Sequence, residues 1–363
     1  MLPPISFQSP ETIESWLFAA GEPAYRVDQI LHWVHKSRVD NWLGMANLPA
    51  ALMGNLSESF VFSTVKLIRK QGSFDTALKF VWKLHDDQLI ESVLIPASPS
   101  LYGESSDRHT LCVSTQVGCA YGCKFCASGL GGFRRNLEPA EIIDQVLAVE
   151  RVCKGQVGHG KRLVTNLVIM GMGEPMANYD NLLKALGILN TSWSSNIGAR
   201  KITISTSGLA PQIRRLSQQP QQYRLAISLH GATDEVRNQI MPVNLKYPLA
   251  ELTGAIEFYQ AQKKGTITLE YILIAGINDG LEQVSPLSRL AARLRAKVNL
   301  IPYNNVNGLT YNRPGDSAQE SFLEALKREG VKVTLRREKG HDIDAACGQL
   351  KLRTENELEE KGG

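Results

Sequence analysis

Apolar positions recur with two different periods in the first quarter of the chain. From Glu11 to Ser37 (ETIESWLFAAGEPAYRVDQILHWVHKS) they return every three or four residues around a Gly21-Glu22-Pro23 break, which predicts two or three short amphipathic helices. From Thr64 to Pro96 three strand-like runs, separated by Gly72-Ser73-Phe74-Asp75 and Asp86-Asp87, predict a meander or hairpin leading into the main domain. Lys, Arg, Trp and Tyr interleave in this part of the chain, compatible with RNA contact, although packing is the default role for such aromatics.

After Leu111 the pattern alternates. Strand-like runs LCVSTQ, TNLVIMG, KITIST, YRLAISL, TITLEYILI and KVNLIP interleave with helical periodicity at EPAEIIDQVLAVERV, NYDNLLKALGIL, PLAELTGAIEFYQAQ and PLSRLAARLRA. Six β-then-α units predict an α/β fold with a parallel sheet covered by helices, and both a partly closed barrel and an open doubly wound sheet fit. Polar residues gather where the runs end, at Gly171–Glu174, Ser205–Gly208, Ser228–His230 and Asn304. Strand ends converge on one mouth in a barrel, where active sites form, so a closed or partly closed barrel is preferred.

Composition narrows the class. The chain has 363 residues, 43% hydrophobic and 21% charged, enough for a sizeable domain with an appendage. No apolar run of about 18 or more residues occurs, and the first residues lack a basic region followed by an apolar core. A soluble, cytoplasmic protein with no membrane partner is expected. Six cysteines in this length, three of them clustered, do not resemble a secreted disulfide framework. Net charge is only +4, a weak argument for an anionic partner; doublets such as Arg134-Arg135 and Arg336-Arg337 are each read as solvated surface pairs.

The chemistry concentrates in Arg108–Leu137, RHTLCVSTQVGCAYGCKFCASGLGGFRRNL. Cys119, Cys123 and Cys126 stand in C-x-x-x-C-x-x-C spacing. Three soft thiolates on one short loop suit an iron–sulfur cluster. The alternative, zinc, ordinarily takes a fourth nearby Cys or His, and the loop has none. A four-iron cluster held by three cysteines keeps one iron open to a small molecule. Phe125, between two of these cysteines, is either a shield or ordinary core. Cys153 fits inert packing.

Cys112 precedes the three-cysteine loop, and GMGEP at 171–175, STSG at 205–208, ISLH at 227–230, NLIPYN at 299–304 and DIDAACGQL at 342–350 follow it in order. With it they resemble the radical S-adenosylmethionine superfamily, and within it the RlmN branch of RNA adenosine methyltransferases, relatives of Cfr. The resemblance covers about Glu91 to Leu350. It implies a partial (β/α)6 radical-SAM barrel over residues 91–340 and a tail, 341–363, carrying the catalytic cysteine; residues 1–90, helices then a β meander, are read as a small accessory domain and a candidate for RNA docking. It also implies one 4Fe–4S cluster on Cys119, Cys123 and Cys126. S-adenosylmethionine is assigned to Gly173, Glu174, Ser205, Ser228, Leu229, His230 and Asn304.

Carbon 2 of adenine, flanked by ring nitrogens, is electron-poor and will not attack a sulfonium methyl, whereas a thiolate will. In the scheme the resemblance implies, Cys347 is first methylated. A radical from a second S-adenosylmethionine, two per turnover, then removes hydrogen from that methyl, which joins the adenine. Cys112 resolves the link by attacking the Cys347 sulfur, leaving a transient disulfide. Glu91 matches the family's proton acceptor, and Cys112 is a competing base.

Expected partners are 23S ribosomal RNA, near the peptidyl transferase region, transfer RNA, at the adenosine beside the anticodon, and an electron donor; a monomer is expected. Three alternatives stay open: Cfr-like methylation of carbon 8, a radical enzyme acting on a peptide or metabolite, and a zinc-bound RNA-binding module without catalysis.

Overall fold

The computed structural model describes residues 2–336, apart from 38, 98–105, 107, 157, 159–160 and 307. Cys347 and the 341–363 tail lie outside the described residues. The N-terminal periodicity folds as expected into three helices, α1 (Pro10–Ala19), α2 (Arg26–His35) and α3 (Ala50–Ser59). Ser9 caps α1, its hydroxyl accepting from Thr12 N at 3.2 Å with Pro10 in the first turn, the pattern that starts helices. Ile13, Leu17, Ile30, Leu31, Leu52 and Leu56 bury the inner stripe.

This module is fastened to helix α4 (Pro139–Val152) and its surroundings by buried polar contacts. Asp144 accepts from the amide and hydroxyl of Thr64 at 2.6 and 2.7 Å. Arg151 lies over the Phe62 ring. His35 shares a 3.0 Å hydrogen bond between Nδ1 and Ser194 Oγ and meets Trp193 edge-on.

The meander forms β1 (Lys66–Ser73), β2 (Ala77–Lys83) and β3 (Leu89–Pro96). It is not a separate sheet. β3 pairs antiparallel with β4 (His109–Cys112), and a parallel series continues through β7 (Asn166–Ile169), β8 (Ile202–Thr206), β9 (Arg224–Ser228), β10 (Thr268–Leu273) and β11 (Lys297–Pro302) to β12 (Val333–Leu335). Among the described residues these ten strands form one sheet with β1 and β12 at its edges, an unclosed barrel. A two-stranded ribbon, β5 (Gln116–Gly118) with β6 (Phe133–Asn136), carries the cysteine loop.

Several elements depart from the sequence expectation. The run LCVSTQ divides, because β4 ends at Cys112 and Gln116 already belongs to β5. The parallel series has a seventh strand, β12, only three residues long and half exposed, too short to show alternation. Helices α6 (Ala210–Ser217), α7 (Asp234–Ile240) and α10 (Asp316–Arg328) are short or polar-rich, whereas α5 (Tyr179–Asn190), α8 (Leu249–Gln262) and α9 (Val284–Arg293) lie on expected segments. The Arg134-Arg135 doublet also splits: Arg134 is exposed, but Arg135 bridges Asp86 and Glu141 at 2.7 Å each.

The sheet's two faces differ. Leu111, Leu167, Ile202, Ile204, Leu225, Ile227, Leu269, Tyr271 and Leu300 share one face by register and are buried; Tyr271 stacks on Phe322 of α10 there. The opposite, inner face carries Cys112, Thr203, Ser205, Ser228, Glu270 and Asn299.

Candidate active site

The cysteine loop owes its shape to close backbone approaches. Cys119 N donates to Gly132 O at 3.1 Å. Gly118 has φ +71°, and a Cβ there would stand 1.8 Å from the same carbonyl, so only glycine fits. Cys126 N donates to Cys123 O at 3.1 Å, and Lys124 N donates to Ile240 O at 2.9 Å, tying the loop to the end of α7. Phe125 is buried with its ring edge-on to His230, centroids 5.0 Å apart, so it packs the loop onto the end of β9.

The three thiols are partly covered. Burial pushes the Cys119 thiol up to about 12, and Cys126 and Glu174 push the same way. Cys123 is raised further by burial and by both neighbouring cysteines, with Arg237 opposing. Three thiolates so placed repel one another unless a cationic centre sits among them. No group of three or more His, Cys, Asp or Glu forms a ready-made metal site among the described residues. The fit to an iron–sulfur cluster therefore rests on the donor set: three mutually repelling thiols on one loop.

The strand-end motifs line the same side of the sheet. Gly171 presses against β4's continuation, where a Cβ would meet Val113 C at 2.6 Å. Gly173 has φ +98° and abuts Gln116. Glu174 is buried, and both carboxylate oxygens are engaged, Oε1 by Met176 N at 2.9 Å and Oε2 by Ser207 N at 2.7 Å. Burial raises its acid and these hydrogen bonds oppose the rise. Glu174 thus ties the end of β7 to the end of β8, a holding role the sequence did not indicate.

Ser205 and Ser228 on adjacent strands place their hydroxyls 3.3 Å apart. Leu229 and His230 both donate their amides to Glu270 O, at 3.0 and 3.2 Å. His230 holds φ +54°, uncommon for a residue with a side chain. Its Nδ1 accepts from Ile272 N at 3.1 Å, and Asn278 Nδ2 donates to its carbonyl at 2.7 Å. Burial, reinforced by Arg237, lowers its imidazole to about 3, so the ring is neutral with Nε2 protonated. Asn304 accepts from Arg313 at 3.2 Å through Oδ1. Its buried Nδ2 has no hydrogen-bond partner among the described residues, a donor left over at the mouth that suits a ligand oxygen.

Glu91 and Cys112 lie on the same inner face of adjacent strands. Register sets Lys79, Val93 and Cys112 in one row across β2, β3 and β4, with Glu91 two residues before Val93 on the same face. Glu91 is buried and forms an ion pair with Lys79, Nζ to Oε1 2.9 Å. Ser114 Oγ, which donates to Glu91 O at 2.6 Å and accepts from Met172 N at 2.9 Å, joins this corner to the GMGEP loop.

Several contributors had no sequence motif. Arg237 is fully buried; its guanidinium donates to the carbonyls of Ser207, Ser228 and Leu229 and to Asn244. Burial lowers it to about 10 against Cys123 and Asp234. Gln116 Oε1 accepts from Glu174 N at 2.8 Å. The signal available was alternation: ALKFVWK puts Lys79 on the inner side of a strand whose other residues before the terminal Lys83 are apolar.

Comparison with known proteins accords with this geometry. Residues 113–284 match the model of the radical SAM superfamily, and residues 8–62 match the ribosomal RNA large subunit methyltransferase N-terminal domain. A protein of Akkermansia muciniphila named probable dual-specificity RNA methyltransferase RlmN is 51% identical over 98% of this chain and 97% of its own. One from Opitutus terrae, named probable dual-specificity RNA methyltransferase RlmN 3, is 50% identical over 98% and 96%. The crystal structure of a radical SAM methyltransferase from Sphaerobacter thermophilus superposes with a TM-score of 0.89 at 38% identity, covering 96% of this chain and 99% of that one. With relatives of that identity along nearly its whole length, the chain belongs to the RlmN family of radical SAM RNA methyltransferases.

Proposed function

We propose that the enzyme methylates carbon 2 of adenosine in 23S ribosomal RNA and in transfer RNA through an S-methylcysteine on Cys347. Superfamily membership implies a 4Fe–4S cluster and S-adenosylmethionine. Cys119, Cys123 and Cys126 would hold the cluster, leaving one iron open. Gly173, Glu174, Ser205, Ser228, Leu229, His230 and Asn304 would hold S-adenosylmethionine, two molecules being used per turnover. When bound, the pair supplies an organic radical by one-electron cleavage of the sulfonium.

The chain's residues do the rest. The Cys347 thiolate accepts a methyl group by displacement and later carries that carbon to the adenine. Glu91 takes the ring proton. Cys112 attacks the Cys347 sulfur; the methylene carbon leaves with the carbon–sulfur bonding pair and takes up a proton as the product's methyl group, the unpaired electron of the radical adduct having passed to an external one-electron acceptor, and a disulfide remains for an external reductant. The observation that carries this reading is the placement of Glu91 and Cys112 on the same inner face of adjacent strands, on the sheet whose strand ends anchor the cysteine loop. The neutral His230 adds no charge there and keeps Phe125 seated.

Residues 1–90 are assigned to RNA docking, 91–340 to the radical core and 341–363 to the cysteine-bearing tail. No helix among the described residues is long and apolar enough to cross a membrane, and a monomeric cytoplasmic enzyme with a separate electron donor is proposed. Deleting residues 1–90 should weaken RNA binding in a filter titration. The deciding experiment is anaerobic reconstitution with iron, sulfide, S-adenosylmethionine and RNA from a strain lacking the enzyme, followed by mass spectrometry of nucleosides. 2-Methyladenosine supports the proposal, 8-methyladenosine favours the Cfr-like alternative, and RNA without either methylated base overturns both.

A further inference from the structure

Lys79 is 2% exposed within a strand of the sheet, a position where a lone ammonium is costly. Its partner is Glu91, 2.9 Å away and equally buried. Such a pair contributes little net stability compared with two packed apolar side chains of similar size, so stability does not explain it. Its position is informative. Lys79 lies level with Cys112 in one row of the sheet, and Glu91 lies one pair further along the same face, toward the end of β4 from which the chain runs into the cysteine loop.

We propose that Lys79 is a positioning residue for proton removal: its ammonium, 2.9 Å from Oε1, holds the Glu91 carboxylate in place as the proton acceptor. The inference rests on the assignment of Glu91 as proton acceptor given above. In the step concerned, the carbon 2–hydrogen bond of the covalent protein–RNA adduct breaks. The proton passes to a Glu91 carboxylate oxygen and the electron pair stays in the ring. Lys79 takes no part in the transfer itself and acts by holding the carboxylate through the ion pair. No oxidant or reductant enters this step.

The test uses the full-length, anaerobically reconstituted enzyme in single turnover with RNA, quenched in denaturant. Covalent adduct is followed on a gel and 5′-deoxyadenosine by chromatography. Lys79→Met and Glu91→Gln should each leave 5′-deoxyadenosine formation within about twofold of wild type and slow adduct decay by about tenfold or more. The double variant should decay no more slowly than Glu91→Gln, because Lys79 acts only through Glu91. Lys79→Arg, which keeps the charge, should restore decay to within about threefold of wild type.

Wild-type decay in Lys79→Met with slow decay in Glu91→Gln overturns the role of Lys79 alone. A further slowing in the double variant, as large as that of Lys79→Met by itself, also overturns it, since the lysine would then act independently. Wild-type decay in Glu91→Gln removes Glu91 as acceptor and the proposal with it. Should Lys79→Met fail to fold, Lys79→Gln takes its place: slow decay against fast decay in Lys79→Arg supports the proposal, and equal rates overturn it.

Discussion

The two faces of the ten-stranded sheet are made from the same strands, residue by residue in alternation, yet they differ in kind. The outer face holds Leu111, Ile204, Ile227, Leu269 and Leu300, closed over by helices and dry. Its polar insertions are matched: Ser92 Oγ donates to Gln145 Oε1 at 2.9 Å, and Gln145 holds both the amide and the carbonyl of Ser114. The inner face carries Lys79, Glu91, Cys112, Ser205, Ser228 and Glu270. Glu270 is buried, and desolvation raises its acid while Asn299 opposes. Apolar burial on one face supplies the free energy that lets the other keep costly groups.

Substitutions on the two faces should therefore separate stability from activity. The largest effect falls on the cysteine loop: Cys119→Ser should abolish methylation and strip most iron from the reconstituted enzyme, read by iron analysis and visible absorption, with the melting temperature of the iron-free protein unchanged. On the outer face, Ile204→Ala should cost about 2–5 kcal/mol in denaturant unfolding while activity per folded molecule stays near wild type.

The next effect is in pH. Burial lowers His35 to about 3 from an ordinary 6.5, so the unfolded chain binds a proton that the folded chain refuses between those values. Stability conferred by the neutral ring is complete above about pH 6.5 and falls as pH drops toward 3, by at most about 1.4 kcal/mol per pH unit. His35→Phe should flatten that part of an acid-unfolding curve; an unchanged slope would contradict the assignment. The smallest stability change belongs to the inner face. Ser228→Ala removes one hydroxyl of the 3.3 Å pair and should cost about 1 kcal/mol or less, yet weaken S-adenosylmethionine binding in equilibrium dialysis.

How much of this was legible in the sequence follows from the same division. Long periodic segments such as Glu138–Val152 and Leu249–Gln262 announced their helices, and the six long strand runs announced the parallel series. Short or polar elements did not: Asp234–Ile240 has too few apolar residues to show a period, and Val333–Leu335 is too short for alternation. The cysteine spacing and the strand-end motifs pointed to the site because ligand chemistry fixes residue type and interval together. Arg237, which holds three carbonyls at the ends of β8 and β9, carried no such signal, since all its partners but Asn244 are backbone atoms that any sequence supplies. Lys79 was visible only as a charge in a strand, and its meaning required the register that sets it beside Glu91.

The central claim is that the inner face resolves a covalent link between protein and RNA with a thiol placed there. The most direct measurement is a single turnover of Cys112→Ala with RNA, run on a denaturing gel beside wild type. The account predicts a covalent protein–RNA adduct that persists in the variant and is lost on adding the Cys347→Ala substitution. Free methylated RNA from Cys112→Ala at the wild-type rate, with no adduct formed, would contradict it.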